Sequence, residues 1–298
     1  MYSLHRLRLL REFELRGTVA AVAEALNYTP SAVSQQLSQL EREAGMRLLE
    51  PVGRGLTLTR QGEILAEHAA AILTQVEVAE AELIKSISSI TGTLRVAAFQ
   101  TALLQLIPEV LNSLRDSHAE LKVLVSEIDP DGALMKLTSH EFDMVIGEEY
   151  PGLPLSRSPE VVRTDLLLDP MQLAYPTTRS GMDARLADFA ADAWVMEPLG
   201  NAARSWATRL CREAGFEPDV RYESNDLMIH HQLVLHGHAC ALLPGLLWGA
   251  DEPQVRLLNL PRRPHRTIFT AVRLGSVGRP DLVAFHEALT RSHQRLRP

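Results

Sequence analysis

Two short helical stretches near the N-terminus, separated by only three residues, place the tightest limit on how this chain folds. Val19–Leu26 is rich in alanine, which lets a neighbouring helix approach closely, and Pro30–Ala44 repeats apolar residues at helical spacing. In the break Asn27–Pro30, the threonine at 29 fits a helix N-cap and the proline fits the first helical turn. Gly45 then ends the second stretch. The pattern predicts two helices joined by a tight turn.

The second stretch combines a buried stripe with an unusual opposite face. Val33, Leu37, Leu40 and Ala44 recur at spacings of four, three and four residues, which is typical of one buried helix face. With about 100° per residue, the opposite side and its flanks carry Ser31, Ser34, Gln35, Ser38, Gln39 and Arg42. A solvated face normally exposes Lys and Glu, whereas short hydroxyls and amides can approach and pair with base edges. A helix-turn-helix is therefore favoured over the alternative, a polar surface helix without a partner.

A predicted hairpin follows the second helix. Leu48-Leu49 and Leu56–Thr59 have the pattern of two short strands around Gly53–Gly55, with Arg54 at the tip of the turn. Such a hairpin is the wing of a winged helix-turn-helix. The candidate DNA-binding residues are Thr29, Ser31, Ser34, Gln35, Ser38, Gln39 and Arg54.

Charge is distributed unevenly along the chain. The formal net charge is −7, which taken alone argues against nucleic acid, because neutralising phosphates normally requires a basic footprint. Residues 1–62 nevertheless hold eight Arg and six Glu, a balance of +2, which leaves −9 for the remainder. The acidity therefore belongs to the larger part of the chain. We expect DNA affinity to depend on dimerisation and specific base contacts more than on bulk electrostatics.

A long and specific run of residues carries a family resemblance. Ala21–Glu41, followed by Gly45, Leu48-Leu49, Arg54, Leu58-Thr59 and Gly62, closely resembles the winged helix-turn-helix of LysR-type transcriptional regulators. The resemblance implies that the helix beginning near Pro30 enters the major groove. Ser31, Ser34 and Gln35 would then face bases, and Arg54 would contact the backbone or the minor groove. The chain departs from the family at Pro51, where Arg is common, and at Gln35, where a basic residue is common.

The next segment is predicted to be a long connecting helix. No Pro or Gly occurs from Glu63 to about Ser88, and a largely heptad seam is formed by Leu65, Ala69, Ile72, Val76, Ala79, Leu83 and Ile90. The alternative is a helix packed only on its own domain. We favour dimerisation, because two recognition helices about one DNA turn apart can read a pseudo-palindromic operator. The resemblance also implies dimerisation through this helix.

Beyond Thr91–Thr93 the pattern alternates between strands and helices. Strands are predicted at 94–99, 121–128, 143–147, 166–168, 172–175, 194–196, 240–243 and 266–272. Helices are predicted at 102–117, 131–139, 203–213, 227–236 and 280–295. This order indicates a parallel sheet with helices on its faces, and therefore an α/β main domain.

This larger region resembles the effector domain of the same family. The resemblance rests on Gly92–Val96, Leu106–Pro108, Phe142–Gly147, Gly215–Pro218 and Leu242–Pro244. It implies two α/β lobes crossed twice by the chain, like those of periplasmic solute-binding proteins, with a ligand cleft between them. The expected domains are a winged helix-turn-helix at 1–60, a linker and dimerisation helix at 61–91, and an effector-binding domain at 92–298. Lobe I would span about 92–164 and 267–298, and lobe II about 165–266.

The effector site is predicted at the carboxyl ends of the strands, where open α/β sheets bind ligands. The candidate residues are Gln100, Thr101, Asp129, Gly147, Glu148, Met196, Asn201 and Ser224. Thr101 at a helix N-terminus favours an anion, whereas Asp129, Glu148 and Glu149 bring negative charge to the same mouth. A zwitterion such as an amino acid would reconcile the two features.

Other constellations favour structural roles over chemistry. Five residues that could bind a metal, His230, His231, His236, His238 and Cys240, lie close in sequence, but their spacing and lack of a carboxylate argue against zinc. Cys211 and Cys240 are predicted to be apolar fillers rather than a redox pair. No catalytic motif, cofactor motif, signal peptide or membrane span is recognisable, so we expect a cytoplasmic protein that is not an enzyme and has no cofactor.

These features predict a homodimeric or homotetrameric regulator that binds double-stranded operator DNA under the control of a small-molecule effector. The alternative is a solute-binding or metabolite-sensing protein of the same two-lobed fold.

Overall fold

The computed structural model describes the chain except for residues 54, 87–88, 129, 180–183, 250–251 and 296–298. The side chains of 130–131 and 293–295 are also outside the description. Two predicted site residues, Arg54 and Asp129, therefore lie outside the described residues.

The N-terminal part is a three-helix unit with a hairpin and a long following helix. Its elements are α1 (Leu4–Arg16), α2 (Val19–Ala25), α3 (Pro30–Ala44), β1 (Leu49–Val52), β2 (Gly55–Leu58) and α4 (Arg60–Lys85). Thr18, Thr29 and Thr59 cap α2, α3 and α4, each hydroxyl accepting a hydrogen bond from a backbone N–H in the first turn. A single apolar core joins α1, α2, α3 and α4. The predicted helix-turn-helix and its wing are present in the fold.

Helix α4 uses its apolar residues in two ways. Ala66 and Ala69 are buried against the N-terminal core, and Leu65 packs there as well. Ile72 and Leu83 instead keep 40% and 69% of their surface exposed. Part of the predicted seam is thus buried within this chain. The exposed part remains available for contact with a second chain.

The larger part of the chain begins with the first lobe. Its elements in order are β3 (Gly92–Ala98), α5 (Gln100–Gln105), α6 (Ile107–Ser117), β4 (Leu121–Glu127), α7 (Pro130–Thr138), β5 (Met144–Glu149) and β6 (Val161–Tyr175). The second lobe follows with β7 (Ala193–Met196), α8 (Ala202–Glu213), β8 (Asp219–Glu223), α9 (Leu227–Leu235), β9 (Ala241–Pro244) and β10 (Arg256–Asn259). The chain then returns to the first lobe through β11 (His265–Arg273) and α10 (Pro280–Arg295).

One long strand connects the two lobes. The first part of β6, from Val161 to Pro170, pairs antiparallel with β11, and its last residues pair with β9 and β10. In lobe I, β4, β3 and β5 run parallel while β11 is antiparallel to β5. In lobe II, β7 and β8 are parallel, and a bridge from Trp194 to Cys240 ties them to the strand of β9. The sheet is therefore mixed rather than purely parallel.

Two sequence predictions differ from the observed elements. The single helix predicted at 102–117 is two helices, because Pro108 lacks a backbone N–H and cannot continue the hydrogen bonding of α5. The two strands predicted at 166–168 and 172–175 are one continuous strand, β6, which includes Pro170.

Candidate DNA-binding surface and effector cleft

Helix α3 presents the predicted polar face to solvent. The side chains of Ser31, Ser34, Gln35 and Ser38 are exposed, whereas Val33, Leu37 and Leu40 are buried. Within the described part of the chain, Ser34 and Gln35 donate to and accept from no other side chain. Thr29 serves the helix itself, since its Oγ1 accepts from the Ala32 N–H at 3.2 Å. Gln39 is half-buried and donates to Glu43 at 3.5 Å.

Two carboxylates hold this helix against its neighbours. Glu43 accepts from the Arg6 Nε of α1 at 3.2 Å, and Arg6 also donates to Gln36. Glu41 Oε1 accepts from the backbone N–H groups of Leu48 and Leu49, at 2.9 and 3.1 Å. Glu41 therefore joins the end of α3 to the first strand of the wing. Its role was missed from sequence, where it is one glutamate among six in the segment.

The lobes meet in a cavity of about 220 Å³. Several lobe I strands point their carboxyl ends at it, which places Gln100, Thr101, Glu127 and Glu148 on one wall. Lobe II contributes Glu197 and Asn225 from the segments after β7 and β8, together with Asn201. The location agrees with the general rule for open α/β sheets.

The sequence-predicted effector residues divide into two groups. Gln100, Thr101, Glu148 and Asn201 line the cavity. Gly147, Met196 and Ser224 do not line it. Gly147 instead packs against Phe269, whose ring would collide with an added Cβ, and Met196 is a core residue. Ser224 accepts from the Asp226 N–H at 3.0 Å and supports the start of α9.

Arg266 is the buried charge at the base of the cleft, with only 1% of its surface exposed. Its Nε donates to Asp169 at 2.8 Å, its Nη1 donates to Glu148, and its Nη2 donates to Thr101 Oγ1 at 2.6 Å. Nη2 also lies 2.8 Å from Asp169 Oδ2, so two guanidinium nitrogens share one carboxylate oxygen, while Oδ1 accepts from the Leu246 N–H. Burial raises the pKa of Glu148, although the charge of Arg266 opposes that shift. All three guanidinium nitrogens of Arg266 thus donate to groups of the protein itself.

The two lobes are also bridged by a hydrogen-bonded pair across the cleft. Gln100 Nε2 donates to Asp226 at 2.6 Å, and Gln100 Oε1 accepts from the Leu227 N–H at 2.8 Å. Asp226 is the N-cap of α9. Gln100 of lobe I is therefore hydrogen-bonded to the first turn of α9 in lobe II.

Glu197 lies at the edge of the same cavity. Burial raises its pKa to about 7, and the nearby Glu148 carboxylate adds to the shift. Among the described residues, its carboxylate has no side-chain donor, and only its own backbone N–H donates to it. Arg204 Nη1 donates to the backbone oxygen of Glu197 rather than to its side chain.

Arg266 and Tyr150, which both line the cavity, were not selected from sequence. Glu197 lies at a strand end that was selected, but it was not chosen as a site residue. Arg266 and Thr101 are 165 residues apart in the chain, so spacing could not bring them together. Glu197 follows a predicted strand directly, and that position was the available signal.

A larger cavity of about 510 Å³ lies between α1 and lobe I. Its walls are largely apolar, and two of its arginines are already paired, Arg11 with Glu160 and Arg163 with Glu149. The cleft between the lobes is smaller but has the convergent polar groups that a specific ligand needs.

Both cysteines and the histidines at 230 and 231 are packed against protein groups. Cys211 and Cys240 are both free and buried in one lobe II core. Burial raises the pKa of Cys211 to about 12 and that of Cys240 further above its usual range, so neither forms a thiolate readily. His230 is buried with Nε2 2.8 Å from the backbone oxygen of Ser224, and His231 lies edge-on against Trp248.

Comparison with known protein families decides the identity of this fold. Residues 4–63 match the model of the bacterial regulatory helix-turn-helix protein, lysR family, and residues 88–294 match the LysR substrate binding domain. The chain belongs to the LysR family of transcriptional regulators. It is therefore a DNA-binding transcriptional regulator with an effector-binding domain, of a family whose members form oligomers.

Relatives match along most of their length. The DNA-binding transcriptional dual regulator OxyR of Escherichia coli (strain K12) is 26% identical over 274 residues, covering 90% of this chain and 88% of OxyR. The transcriptional dual regulator GltC of Bacillus subtilis (strain 168) is 25% identical, covering 84% of this chain and 83% of GltC.

Solved structures share the fold. A full-length OxyR variant from Pseudomonas aeruginosa has a TM-score of 0.67 at 20% identity, covering 98% of this chain and 94% of that one. Full-length CbnR complexed with its target DNA has a TM-score of 0.53 at 22% identity, covering 98% and 99%. Among the described residues, no helix is long and apolar enough to cross a membrane.

Proposed function

We propose that α3 reads operator bases through Ser31, Ser34 and Gln35, with Ser38 and the wing residue Arg54 supporting the contact. The single observation behind this assignment is the exposed hydroxyl and amide face of α3, in which Ser34 and Gln35 have no partner among the described side chains. Such groups are free to pair with base edges, and Gln35 is suited to adenine. Thr29 and Gln39 stay in the predicted site, the former as a cap and the latter at its edge.

The regulatory part of the proposal places the effector in the cleft lined by Gln100, Thr101, Glu148 and Asn201. We include the predicted residues Asp129, Gly147, Met196 and Ser224 as the surrounding shell, without direct contacts assigned to them. A ligand that binds the closed and open settings of the lobes differently will shift their populations, and only to that extent. Oligomer contacts then change the spacing of the paired recognition helices.

We also propose the boundaries 1–60, 61–91 and 92–298 for the DNA-binding, linker and effector domains. We infer that the protein is not an enzyme, because no convergent catalytic set lines the cleft among the described residues. Since its DNA target lies in the bacterial cytoplasm, we assign it there.

We propose that the effector is a small molecule bound in the cleft, and not an oxidant that reacts with a cysteine. Several relatives are named hydrogen peroxide-inducible genes activators, which would suggest a thiol sensor. Both cysteines of this chain are buried and held as thiols, so peroxide has poor access to a reactive thiolate. The regulatory signal is therefore assigned to the cleft.

Replacing both Ser34 and Gln35 by Ala tests the DNA-reading assignment. Folding should be unchanged because both side chains are exposed, while affinity for the specific operator should fall by about tenfold to a hundredfold per lost base pair contact. Binding to the protein's own upstream DNA at fixed salt is the measurement. The control is Ser126→Ala with Gln232→Ala, which removes the same residue types from exposed positions outside α3. Unchanged specific affinity in the α3 variant would contradict the assignment.

A further inference from the structure

The cleft contains more negative than positive charge. Its buried cation, Arg266, is matched by two carboxylates, Glu148 and Asp169. Glu197 and Glu127 also line the cavity and add to that balance. No further Lys or Arg lines the cleft among the described residues. A ligand entering this space therefore meets an excess of carboxylate.

An anionic ligand has little to bind in the same space. The N–H groups of Arg266 are directed at Asp169, Glu148 and Thr101. Thr101 is fully buried, and its hydroxyl accepts from that guanidinium, so it is not presented to a ligand. Helix α5 has only six residues, which leaves a short dipole at its N-terminus. Of the ligand charges that the sequence leaves open, an anion at Thr101 is therefore the less favoured.

Glu197 has one hydrogen-bond donor in the cleft, its own backbone N–H. Its carboxylate faces the cavity shared with Glu148 and has no side-chain donor among the described residues. A partly buried carboxylate with a single backbone donor is costly to ionise, and a second carboxylate nearby increases that cost. A cation or strong donor placed between Glu148 and Glu197 would relieve both penalties.

We propose that the effector is a small organic cation of the amine, amidine or guanidine class, whose charged group sits between Glu148 and Glu197. The cavity volume of about 220 Å³ limits it to a small molecule. Asn201 and Asn225 supply neutral amides for the remainder of the ligand. This inference rests on the proposed function, because it names the ligand of the same cleft.

Binding of such a cation is coupled to protons. The groups that act on Glu197 are Glu148 and Tyr150 from the end of β5, Arg266 from β11 and Arg204 from α8. Because burial and Glu148 raise the pKa of Glu197 to about 7, this carboxyl group is partly protonated at neutral pH when no ligand is bound. Cation binding favours the ionised form and expels that proton. Affinity should therefore rise about tenfold per pH unit below about pH 7 and level off above it.

The direct test is calorimetric titration of the full-length protein with three probes. They are the 1,4-diammoniobutane dication, the methylguanidinium cation and the butyrate anion. Both cations should bind and butyrate should not. Repeating the titration in buffers of different ionisation enthalpy should show release of up to about one proton near pH 6, and almost none near pH 8. Equal binding of butyrate, or no cation binding at millimolar concentration, would overturn the proposal.

Glu197→Gln keeps the shape of the side chain and removes its charge. We expect cation affinity to fall by about tenfold to a hundredfold and the proton release to disappear. Glu213→Gln, on the exposed part of α8, is the matched control and should bind like the parent protein. Wild-type cation affinity in Glu197→Gln would refute the assignment of that carboxylate. Operator binding is measured on the same proteins. If the cations do not bind but operator binding persists, only the proposed ligand class is rejected.

Discussion

At the scale of single residues, Arg266 decides the character of the cleft. It is buried with Asp169 and Glu148, and a charged pair in such a place is worth less than its Coulomb energy suggests, because both ions lose their hydration. Arg266 instead holds the walls of the cleft together, because its guanidinium connects β11, β5, β6 and the start of α5. The network leaves the remaining carboxylates free for a ligand.

Replacing Arg266 by Met should therefore destabilise the protein strongly. The substitution leaves two buried carboxylates without their cation, which costs about 3–5 kcal/mol of unfolding free energy when one partner of a buried pair is removed. Urea denaturation at neutral pH measures the change. Arg221→Met, which removes an arginine from an exposed pair with Asp219, serves as the control and should cost no more than about 1 kcal/mol. Equal effects of the two substitutions would mean that the network is not structural.

Sequence indicated the exposure of single residues where the pattern lies within one element. The exposed face of α3 follows from helical periodicity, because Gln35 lies opposite the buried stripe of α3 and Ser34 lies on its flank within one element. The cleft is different. Glu148, Glu197 and Arg266 come from three separate strands or strand ends, and no spacing rule relates them. Sequence could place residues at strand ends but could not say which of those ends converge.

At the scale of elements, the recognition helix and the wing are held in register by Glu41. Its carboxylate accepts two backbone hydrogen bonds, from Leu48 and Leu49. The other end of the hairpin is fixed by Thr59, whose hydroxyl donates to the Arg47 oxygen at 2.9 Å. Gly62 allows α4 to pass beneath this hairpin, since an added Cβ would collide with the Leu48 oxygen.

Glu41→Ala should loosen the wing without unfolding α3. Two backbone N–H groups lose their charged acceptor, so we expect a loss of about 1–3 kcal/mol in stability and weaker binding to DNA of any sequence. Salt-controlled binding to operator and to unrelated DNA measures this. Glu50→Ala, an exposed glutamate on β1, is the control. A defect confined to the operator would point to a lost base contact and contradict a positioning role.

The elements themselves were predicted unevenly, and the reasons are physical. Helices with a clear stripe and a cap, such as α3, lie close to their predicted bounds. Strands β8 and β10 were missed because they are short and mostly exposed, so they lack the apolar alternation that marks a strand. Pro108 could have indicated the boundary between α5 and α6. The helical periodicity of the segment favoured one continuous helix instead.

At the scale of the whole molecule, the DNA-binding part is joined to lobe I by ion pairs. Arg11 of α1 lies 2.6 Å from Glu160, directly before β6, and Arg16 lies 2.8 Å from Glu141. Because β6 continues into lobe II, the pair at Glu160 connects α1 with the strand that both lobes share. These ion pairs and helix α4 are physical links between lobe I and the DNA-binding part of the same chain.

Glu77 joins α4 to lobe I through two polar contacts. Its carboxylate lies 2.6 Å from Arg273 and 3.1 Å from the His140 ring. Burial alone would raise the pKa of Glu77, but the hydrogen bonds and charges of His140 and Arg273 outweigh burial and lower it. A carboxyl group whose pKa is lower in the folded state stabilises the protein above its unfolded pKa of about 4.3, and that stabilisation is lost as the pH falls through the folded value.

Glu77→Gln should therefore have a pH-dependent effect on stability. At neutral pH the substitution leaves the largely buried Arg273 with a weaker partner, and we expect a loss of about 1–3 kcal/mol. The difference from the parent should shrink as the pH falls below about 4, because the parent carboxylate then becomes protonated as well. Urea denaturation across this range is the measurement. Glu80→Gln, an exposed position on the same helix, should show no such trend. A constant difference at all pH values would mean that α4 is held to lobe I by packing rather than by the charge of Glu77.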